Sequence, residues 1–561
     1  MNALPSTPRR RTVARNLLLC LVTWLAFGAC GAAPAGPPAP LRCDVCVYGA
    51  TSAGVVAAVQ ARREGRSVVL VDCDGWVGGL STSGLGATDV GNKDAIGGLS
   101  REFYRRLRAH YDRPEAWTRE RRDAFRGRGH DESADAAWTF EPSVAQATFR
   151  AMLGEHGIEP LGARLDRGPG GVVKEGARVL SLRCEDGTVV AARVFLDCTY
   201  EGDLLAAAGC AFAVGREANR TYGETLNGVQ THNATKHQFT APVDPYVVPG
   251  DPSSGLLPFV SAEGPGEEGS ADHRVQAYCF RLCATDDPDN RVPWPKPAGY
   301  DAGDYELLLR HFEAGSTLAP WHPVRMPNRK TDSNNNGAFS TDFIGGNYGY
   351  PEASHAERAR IVDAHRRYQQ GLMWTLANDP RVPEPVRAEF QRYGLAADEF
   401  VATAHWPPLL YVREGRRLVG EHVVTERHCV GSEVDDDPVG MGAYAMDSHN
   451  VQRYVAADGT ARNEGDVQVR VPAPYGISYR ALVPRRGDAD NLLVPVCVSA
   501  SHIAYGSIRM EPVFMVLAQS AAIAAGLAIE RGAAVQDVPY ADLEARLLAA
   551  GQVLTWPPAP R

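Results

Sequence analysis

Apolar and polar positions follow a recognisable order near the start of the chain. An apolar run at residues 45–48 predicts a short buried strand, Gly49 permits a tight turn, and residues 55–63 have the apolar spacing of a helix. A second apolar run at residues 68–71 ends at Asp72, a carboxylate placed to bind ribose hydroxyls. This order predicts a βαβ unit of the type that holds the ADP part of a dinucleotide.

The glycine turn departs from the usual G-x-G-x-x-G pattern at one position. It reads G-A-T-S-A-G, with Gly49 and Gly54 at its ends and Thr51 in place of the second glycine. We expect Ser52 and Ala53, at the N-terminus of the helix, to present backbone N–H groups to a pyrophosphate. An ordinary βαβ unit with a glycine-rich turn and no ligand is the alternative.

Three further segments extend the predicted cofactor site and favour a flavin. Residues 75–86 are rich in small residues that let the backbone approach a long ligand. Residues 194–203 read as a strand and a polar loop, and residues 491–512 as a strand and a loop before a long apolar helix at 513–529. The N-terminus of that helix is expected to face the flavin edge where negative charge develops on reduction. The residues expected at the cofactor here are Gly78, Gly79, Ser83, Thr199, Gly202, Asp203, Arg509 and Glu511.

Several motifs together resemble one protein family. They are G-L-S-T-S-G-L-G-A-T-D at 79–89, D-C-T-Y-E-G-D at 197–203, V-Q-A-Y-C-F-R at 275–281, D-S-N-N-N-G at 332–337, Y-V-R-E-G-R-R at 411–417 and S-A-S-H-I-A-Y-G-S-I-R-M-E-P at 499–512. Over residues 43–530 the chain resembles bacterial FAD-dependent oxidoreductases distantly related to the flavin subunit of heterodisulfide reductase. Many secreted members of that group are labelled xanthan lyase. The resemblance implies a glutathione-reductase-type fold and a bound FAD, and leaves the substrate open.

The expected fold class is α/β, with a Rossmann-like FAD-binding domain and a large inserted α+β substrate domain. The loop-rich start of the insertion and its helical patterns at 305–313, 353–377 and 385–393 set it apart from the βαβ unit. The predicted organisation is a signal peptide at 1–35, an FAD-binding part at 43–215 with a surface excursion at 113–139, the insertion at 216–473, a second FAD-binding part at 474–535, and a C-terminal cap at 536–561.

Composition and charge narrow the class of protein. The chain has 561 residues, of which 44% are hydrophobic and 22% charged, as in a soluble globular protein of two or three domains. Its net charge of −9 argues against general nucleic-acid binding. No iron–sulfur cysteine motif is present, and the cysteines are otherwise uninformative.

The N-terminus has the features of an export signal. Four arginines between residues 9 and 15 precede an apolar stretch at 17–27 that is too short for a membrane span. Ala33-Pro-Ala35 is an acceptable cleavage site, and Cys30 offers lipid anchoring as an alternative. We therefore expect a periplasmic or extracellular protein without a transmembrane domain, and Sec and twin-arginine export both stay open.

Flavin oxidoreductases that oxidise alcohols or amines often need a base near the flavin. His502, in a predicted loop before the long helix, is the first choice, and His449, with Asp447 or Ser448 to orient it, is the second. Arg413 is interpreted as either substrate-facing or structural. Tyr505 is a candidate hydrogen-bond donor to the substrate. The competing interpretation is that these side chains only pack or bind the cofactor.

Other chemistries find less support. The stretch 332–337 resembles the start of a calcium loop, but Phe343 stands where the twelfth-position glutamate is required, so an Asx-rich turn near the substrate is expected. Residues 433–437 are interpreted as an acidic surface loop, and no metal is expected. No histidine occurs between Cys73 and Gly98, which favours non-covalent FAD.

The leading hypothesis is an exported FAD-dependent oxidoreductase that takes a hydride from a small polar molecule, with a carbohydrate derivative favoured. A second complete Rossmann motif, which NAD(P)H would need, is absent, so electrons are expected to pass to oxygen, a quinone or a protein acceptor. The alternatives are a polysaccharide lyase, which needs a base and a groove but no flavin, and a binding protein with a structural FAD.

Overall fold

The computed structural model describes residues 39–557. The predicted signal peptide and Cys30 lie outside these residues. The strands are β1 Leu41–Tyr48, β2 Val68–Asp72, β3 Leu161–Gly162, β4 Val172–Glu175, β5 Arg178–Arg183, β6 Val189–Asp197, β7 Phe212–Ala213, β8 Leu282–Thr285, β9 Arg291–Val292, β10 Trp321–Arg325, β11 Lys330–Asn335, β12 Gly394–Ala396, β13 Arg417–Leu418, β14 Pro438–Gly442, β15 Met446–Asp447, β16 Gln452–Val455, β17 Ala461–Glu464, β18 Gln468–Val469, β19 Tyr475–Ser478 and β20 Leu492–Leu493. The helices are α1 Ser52–Arg63, α2 Gly98–Tyr111, α3 Pro142–Gly154, α4 Asp203–Ala207, α5 Asn219–Tyr222, α6 Glu306–Glu313, α7 His355–Asn378, α8 Glu384–Arg392, α9 Glu426–Cys429, α10 His502–Ile508, α11 Glu511–Arg531 and α12 Tyr540–Ala549.

A seven-stranded, mostly parallel sheet forms the centre of the fold. Its order is β3-β2-β1-β6-β5-β4, and β20 pairs with β6 off this path. Strand β1 lies between β2 and β6 in parallel, with Val45 opposite Val68 and Val194. The apolar run of β1 is buried from both faces, as expected for a parallel strand between helices. The mixed α/β class with a Rossmann-like parallel sheet is therefore confirmed.

Helix α11 is the main core helix. Its 21 residues are long and apolar enough to span a membrane, but the whole apolar stretch is buried inside the protein. It packs against α1, and Gln519 donates a hydrogen bond to Gln60 at 3.0 Å. Its length and hydropathy are therefore those of a core element.

A second, five-stranded sheet comes entirely from residues 282–396, in the order β10-β11-β8-β12-β9. The helices predicted in this part of the chain are present as α6, α7 and α8. Helix α7 begins with a capping box between Ser354 and Glu357. Four two-stranded ribbons, β13-β7, β14-β19, β15-β18 and β16-β17, complete the described strands.

Three local expectations are wrong. The predicted Asx turn at 332–337 is largely strand β11, and Asp332 is buried in an ion pair with Arg281. His502 begins helix α10 instead of lying in a loop, because Ser501 caps that helix by accepting from the N–H of Ala504. The excursion at 113–139 is only partly on the surface, since Phe125 and Trp138 are buried.

Candidate cofactor and catalytic site

The turn between β1 and α1 depends on both of its glycines. Gly49 has a φ of +101°, and a Cβ on Gly54 would lie 1.8 Å from the carbonyl oxygen of Gly49. Thr51, at the irregular position of the motif, caps α1: its Oγ1 accepts from the N–H of Gly54 at 3.2 Å and donates to the carbonyl of Cys198 at 2.7 Å. The threonine therefore ties the turn to the end of β6.

The backbone of residues 50–53 fits an anionic ligand. All four residues are buried, and none of their N–H groups has a hydrogen-bond partner within residues 39–557. Buried donors without partners are costly, and a row of them at the N-terminus of a twelve-residue helix suits a phosphate. Ser52 and Ala53 lie in this row of buried N–H groups, and their roles at the cofactor stay predictions.

The carboxyl ends of β1, β2 and β6 open onto a cavity of about 340 Å³ lined by Tyr48, Cys73, Thr199 and Asp203, among others. Ligands of open α/β sheets bind at this edge. Close by, Asp72 accepts the N–H of Trp76 with Oδ1, while its Oδ2 has no hydrogen-bond partner in the described chain. A larger cavity of about 1080 Å³, within the excursion and neighbouring residues, shares no residue with it.

Glu511 joins the predicted cofactor segments. Its carboxylate accepts hydrogen bonds from Ser52 at 2.6 Å, Tyr200 at 2.8 Å and Ser81 at 3.2 Å. Burial raises the pKa of Glu511, and the three hydroxyls act in the opposite direction. The neighbouring Gly79 has a φ of +59°, and a Cβ there would lie 2.3 Å from the Tyr200 hydroxyl.

Other residues predicted at the cofactor contact protein groups. Gly78 has a φ of +98°, and a Cβ added there would clash with Thr82. The Ser83 hydroxyl accepts from the N–H of Leu409 at 2.9 Å. Thr199 donates to Asp197 at 2.6 Å. Gly202 precedes α4 with a φ of +67°. These residues shape the ends of the strands.

Asp203 forms a buried ion cluster between the sheet and helix α7. Its carboxylate accepts from both terminal nitrogens of Arg358, at 2.6 and 2.9 Å, and from Arg416 at 2.9 Å. Burial opposes ionisation, but the Arg358 guanidinium holds the pKa of Asp203 below its usual range. Asp203 therefore connects α7 to the carboxyl ends of β1, β2 and β6.

Arg413 and His449, two of the predicted catalytic residues, meet at Asp342. Arg413 lies 2.9 Å from one carboxylate oxygen of Asp342, and Nδ1 of His449 lies 2.7 Å from the other. The Arg413 and Asp342 side chains are 0% and 3% exposed, whereas that of His449 keeps 10% exposure. Nε2 of His449 has no hydrogen-bond partner among residues 39–557.

Burial and neighbouring charges shift the pKa values of the groups in this cluster. Burial would raise the pKa of Asp342, but Arg413 and His449 hold it well below its usual range. Burial, reinforced by Arg413, lowers the pKa of His449 to about 3. Burial raises the pKa of nearby Asp447 to about 6 against the opposing effect of Arg509. At neutral pH the cluster therefore contains a neutral imidazole hydrogen-bonded to an ionised carboxylate.

Arg509 and Tyr411 connect this cluster to the start of α11. Arg509 contacts the Tyr411 hydroxyl at 2.9 Å and donates to the carbonyl of Asp447 at 2.8 Å. The guanidinium of Arg413 lies 4.8 Å from the centre of the Tyr411 ring. Arg509 is two residues before Glu511, whose carboxylate joins the predicted cofactor segments. The cluster around Asp342 therefore lies beside the start of α11.

His502 belongs to a second buried network. Its Nδ1 lies 2.7 Å from Glu414, which also pairs with Arg417. Burial, with Arg417 nearby, lowers the pKa of His502 to about 3. The Tyr505 hydroxyl donates to the carbonyl of Val496 at 3.2 Å in the core.

Gln276 bridges the two histidine networks. Its side-chain amide nitrogen donates to the Glu414 carboxylate at 2.8 Å. Its side-chain oxygen accepts from the backbone N–H of His449 at 3.2 Å. The sequence interpretation missed Gln276, Asp342 and Glu414. Glu414 had a usable signal, since an acidic residue among three arginines suggests an ion network, but Asp342 had none.

The family comparison is consistent with this geometry. The model of the FAD dependent oxidoreductase family matches residues 44–547, which is most of the chain. No curated protein matches it. Among solved structures, the chain is similar to a flavin-containing monooxygenase from Stenotrophomonas maltophilia, with 17% identity, a TM-score of 0.18 and coverage of 34% of this chain and 45% of the other.

It is also similar to L-proline dehydrogenase from P. horikoshii, with 13% identity, a TM-score of 0.22 and coverage of 32% and 59%. The chain thus covers less than two thirds of each of these proteins, and such low scores support no functional argument. The family match is the finding that carries weight, and it includes the glycine turn at residues 49–54. The chain belongs to the FAD-dependent oxidoreductase family, which confirms the predicted enzyme class and the predicted cofactor, FAD.

Proposed function

We propose that the protein oxidises a small polar molecule at a carbon bearing a hydroxyl or amine, with His449 as the proton acceptor. The observation that carries this proposal is the buried cluster of His449, Asp342 and Arg413 beside the cofactor segments. Bound FAD supplies a hydride acceptor. The residues of this chain bind and orient the substrate and take up the proton released with the hydride.

His449 has the geometry of a general base. Asp342 holds its Nδ1, which leaves Nε2 free to accept a proton from a substrate hydroxyl. Its lowered pKa keeps the imidazole neutral at pH 7, and the carboxylate of Asp342 stabilises the imidazolium formed on proton transfer. Arg413 in turn keeps Asp342 ionised. His502, hydrogen-bonded to Glu414, acts through Gln276 as a positioning residue.

The polar atoms around the cluster favour a substrate with several hydroxyls. The buried atoms that lack a hydrogen-bond partner in residues 39–557 include Oδ2 of Asp466, Oδ1 of Asn450 and the Nε atoms of Arg413 and Arg509. Unpaired buried donors and acceptors of both kinds are satisfied by a polyhydroxylated ligand. This supports a carbohydrate derivative, bound largely by the segment at 216–473, as the substrate class.

The wider assignment is also part of the proposal. The motifs at 79–89, 197–203 and 499–512 support kinship with the group related to the flavin subunit of heterodisulfide reductase. The N-terminal arginines and apolar stretch support export, with Cys30 as the alternative lipid anchor. Cell fractionation of the wild-type chain and a Cys30→Ala variant tests both, and retention of both in the cytoplasm contradicts export.

An anaerobic substrate screen tests the proposed reaction. The holoenzyme is mixed with a panel of sugars, sugar acids and polyols, and bleaching of the flavin absorption is followed. We expect at least one compound to bleach the wild type, and His449→Gln to slow that bleaching by about 100-fold or more. His232→Gln is the matched control because its side chain is 83% exposed.

Two outcomes of the screen would contradict parts of the proposal. Bleaching by a panel compound at equal rates in the wild type and His449→Gln removes His449 from the mechanism. A flavin that dithionite reduces but no panel compound reduces contradicts the proposed substrate class. Asp342→Asn should resemble His449→Gln, because the imidazole loses the charge that stabilises its protonated form.

A further inference from the structure

Arg453, in β16, is a buried guanidinium without a carboxylate partner. Nine arginines among residues 39–557 are buried, and eight of them have an aspartate or glutamate oxygen within 4.0 Å. Arg453 is the exception in this part of the chain, although it is only 2% exposed. Because arginines are almost never buried unless they are paired, this one lacks a counter-ion.

Neutral groups use only part of the hydrogen-bonding capacity of Arg453. Its Nε donates to Oδ1 of Asn463 at 3.2 Å, and Nη2 donates to the carbonyl of Ala338 at 2.8 Å. The other terminal nitrogen, Nη1, donates to no group that the structure describes. Burial lowers the pKa of Arg453 to about 10, so the guanidinium is still charged at neutral pH.

Two phenylalanine rings flank the guanidinium but do not replace a counter-ion. The guanidinium carbon lies 4.7 Å from the centre of the Phe339 ring and 5.9 Å from that of Phe239. Such cation–π contacts recover only part of the free energy that burial of an unpaired charge costs. One negative charge beside Nη1 would compensate the rest.

The side chains around Arg453 also form the wall of a cavity of about 530 Å³. Phe239 and Asn463, which both contact the guanidinium, line this cavity. Its other polar lining consists largely of side chains that hydrogen-bond hydroxyl groups. They include Thr231, Thr235, Gln238, Thr240 and Thr460. A ligand in the cavity therefore meets groups suited to sugar hydroxyls, with Arg453 directly behind the wall.

Arg453 is also connected to the proposed base, because two stretches of chain meet at both of their ends. At one end His449 contacts Asp342, and at the other Arg453 contacts Ala338. Each end is four residues from the other along both stretches. Four extended residues span at most about 13 Å, so one small substrate can reach both His449 and Arg453.

The backbone of His237 lies between these two ends. Its carbonyl accepts from Nδ2 of Asn450, next to His449, at 3.4 Å and from Nδ2 of Asn463 at 3.0 Å. His237 has a φ of +50°, a strained conformation of the kind that clusters at ligand sites. The two asparagines therefore fix the segment between the base and the arginine.

We propose that Arg453 binds a carboxylate of the substrate and that the substrate is therefore a sugar acid. This inference rests on the proposed oxidation at His449. Nη1 of Arg453 keeps both of its N–H groups for the carboxylate, and a charge-assisted hydrogen bond of this kind is stronger than one to a neutral hydroxyl. A neutral sugar leaves the guanidinium uncompensated and binds more weakly.

Calorimetry on the reduced holoenzyme tests this site. Flavin that has been reduced with dithionite and desalted anaerobically cannot accept a hydride, so the titration measures binding without turnover. The probes are D-glucuronate with D-glucose and D-galacturonate with D-galactose. We expect the wild type to bind at least one acid about tenfold or more tightly than its neutral partner, and Arg453→Gln to reduce that ratio below about twofold. Arg360→Gln, at a side chain that is 75% exposed, is the matched control and should keep the wild-type ratio.

The proposal is overturned if the wild type prefers neither acid, or if Arg453→Gln keeps the preference. Should Arg453→Gln fail to retain flavin, Arg453→Lys takes its place, because lysine keeps the charge but loses the planar donors. A weaker acid preference in Arg453→Lys then supports the site, and an unchanged preference overturns it.

Failure of this inference and failure of the proposed oxidation give different results. Selective, Arg453-dependent binding of an acid that never bleaches the oxidised flavin supports the anion site and contradicts the oxidation. Bleaching that depends on His449 but is equal for acids and neutral sugars contradicts the role of Arg453 alone.

Discussion

At the scale of single residues, a few buried polar groups connect the segments at the carboxyl ends of the parallel strands. The Glu511 carboxylate accepts from Ser52, Ser81 and Tyr200, which come from three different segments. Thr51 likewise connects the glycine turn at residues 49–54 to the end of β6. Because these groups are inside the protein, the loss of one leaves its partners without water to replace it.

Glu511→Ala should therefore weaken both folding and FAD binding. Three buried hydroxyls lose their acceptor, for a cost of about 3 kcal/mol or more in the free energy of unfolding. We expect the dissociation constant for FAD to rise at least about tenfold, because the turn and the glycine loop lose their common anchor. Denaturant unfolding and titration of the apoprotein with FAD measure the two effects. Glu115→Ala, at an exposed position, should change neither.

Gly54→Ala tests the close approach in the turn. The added Cβ would lie 1.8 Å from the carbonyl oxygen of Gly49, so the backbone must move. We expect purification without bound FAD and a loss of about 1–3 kcal/mol in stability. Gly154→Ala is the control, because nothing lies within 4 Å of its added Cβ. Full flavin content in Gly54→Ala would show that the turn does not hold the cofactor.

His502 should lower the free energy of unfolding as the pH falls below 6.5. Its pKa of about 3 in the folded protein lies below the ordinary value of about 6.5 in the unfolded chain. Between these values the unfolded state binds a proton that the folded state does not, so stability falls by about 1.4 kcal/mol for each pH unit below 6.5.

The difference in unfolding free energy between the wild type and His502→Gln isolates this contribution. That difference should shrink steadily from pH 6.5 towards pH 4.5. A His502→Gln difference that is flat with pH would mean that the imidazole is protonated in the folded protein.

At the scale of elements, helix α7 is fixed to the cofactor edge by the Asp203 cluster. Asp203→Asn leaves Arg358 and Arg416 buried with an uncompensated charge, at a cost of about 3–5 kcal/mol. Denaturant unfolding measures this loss. Asp363→Asn removes an exposed ion pair of the same helix and should cost less than about 0.5 kcal/mol. Equal losses in the two variants would contradict a structural role for the Asp203 cluster.

Elements with strong local signals could be predicted from the sequence. Apolar periodicity, together with glycine and proline where elements begin or end, predicts the βαβ unit, α6, α7, α8 and α11. Strand β11 could not be predicted, because its Asp, Ser and Asn residues favour turns locally and only pairing with β8 and the Arg281–Asp332 ion pair make it a strand. Tertiary contacts override propensity there.

At the scale of the whole molecule, distant segments assemble the candidate site. Strand β20 returns to β6 near the end of the chain, and Asp342, Arg413, His449 and Arg509 come from four separate stretches. The sequence gives no distance between such stretches, so it could suggest Arg413 and His449 individually but not their meeting at Asp342. The glycine turn at residues 49–54 was predictable because all of its parts are local.

The rate of anaerobic flavin reduction in the holoenzyme, measured for the wild type and His449→Gln at equal flavin content, tests the proposed site most directly. We expect a polyhydroxylated substrate found in the screen to reduce the wild type rapidly and the variant about 100-fold or more slowly. Reduction of both proteins at the same rate would contradict the assignment of the His449–Asp342–Arg413 cluster as the catalytic centre.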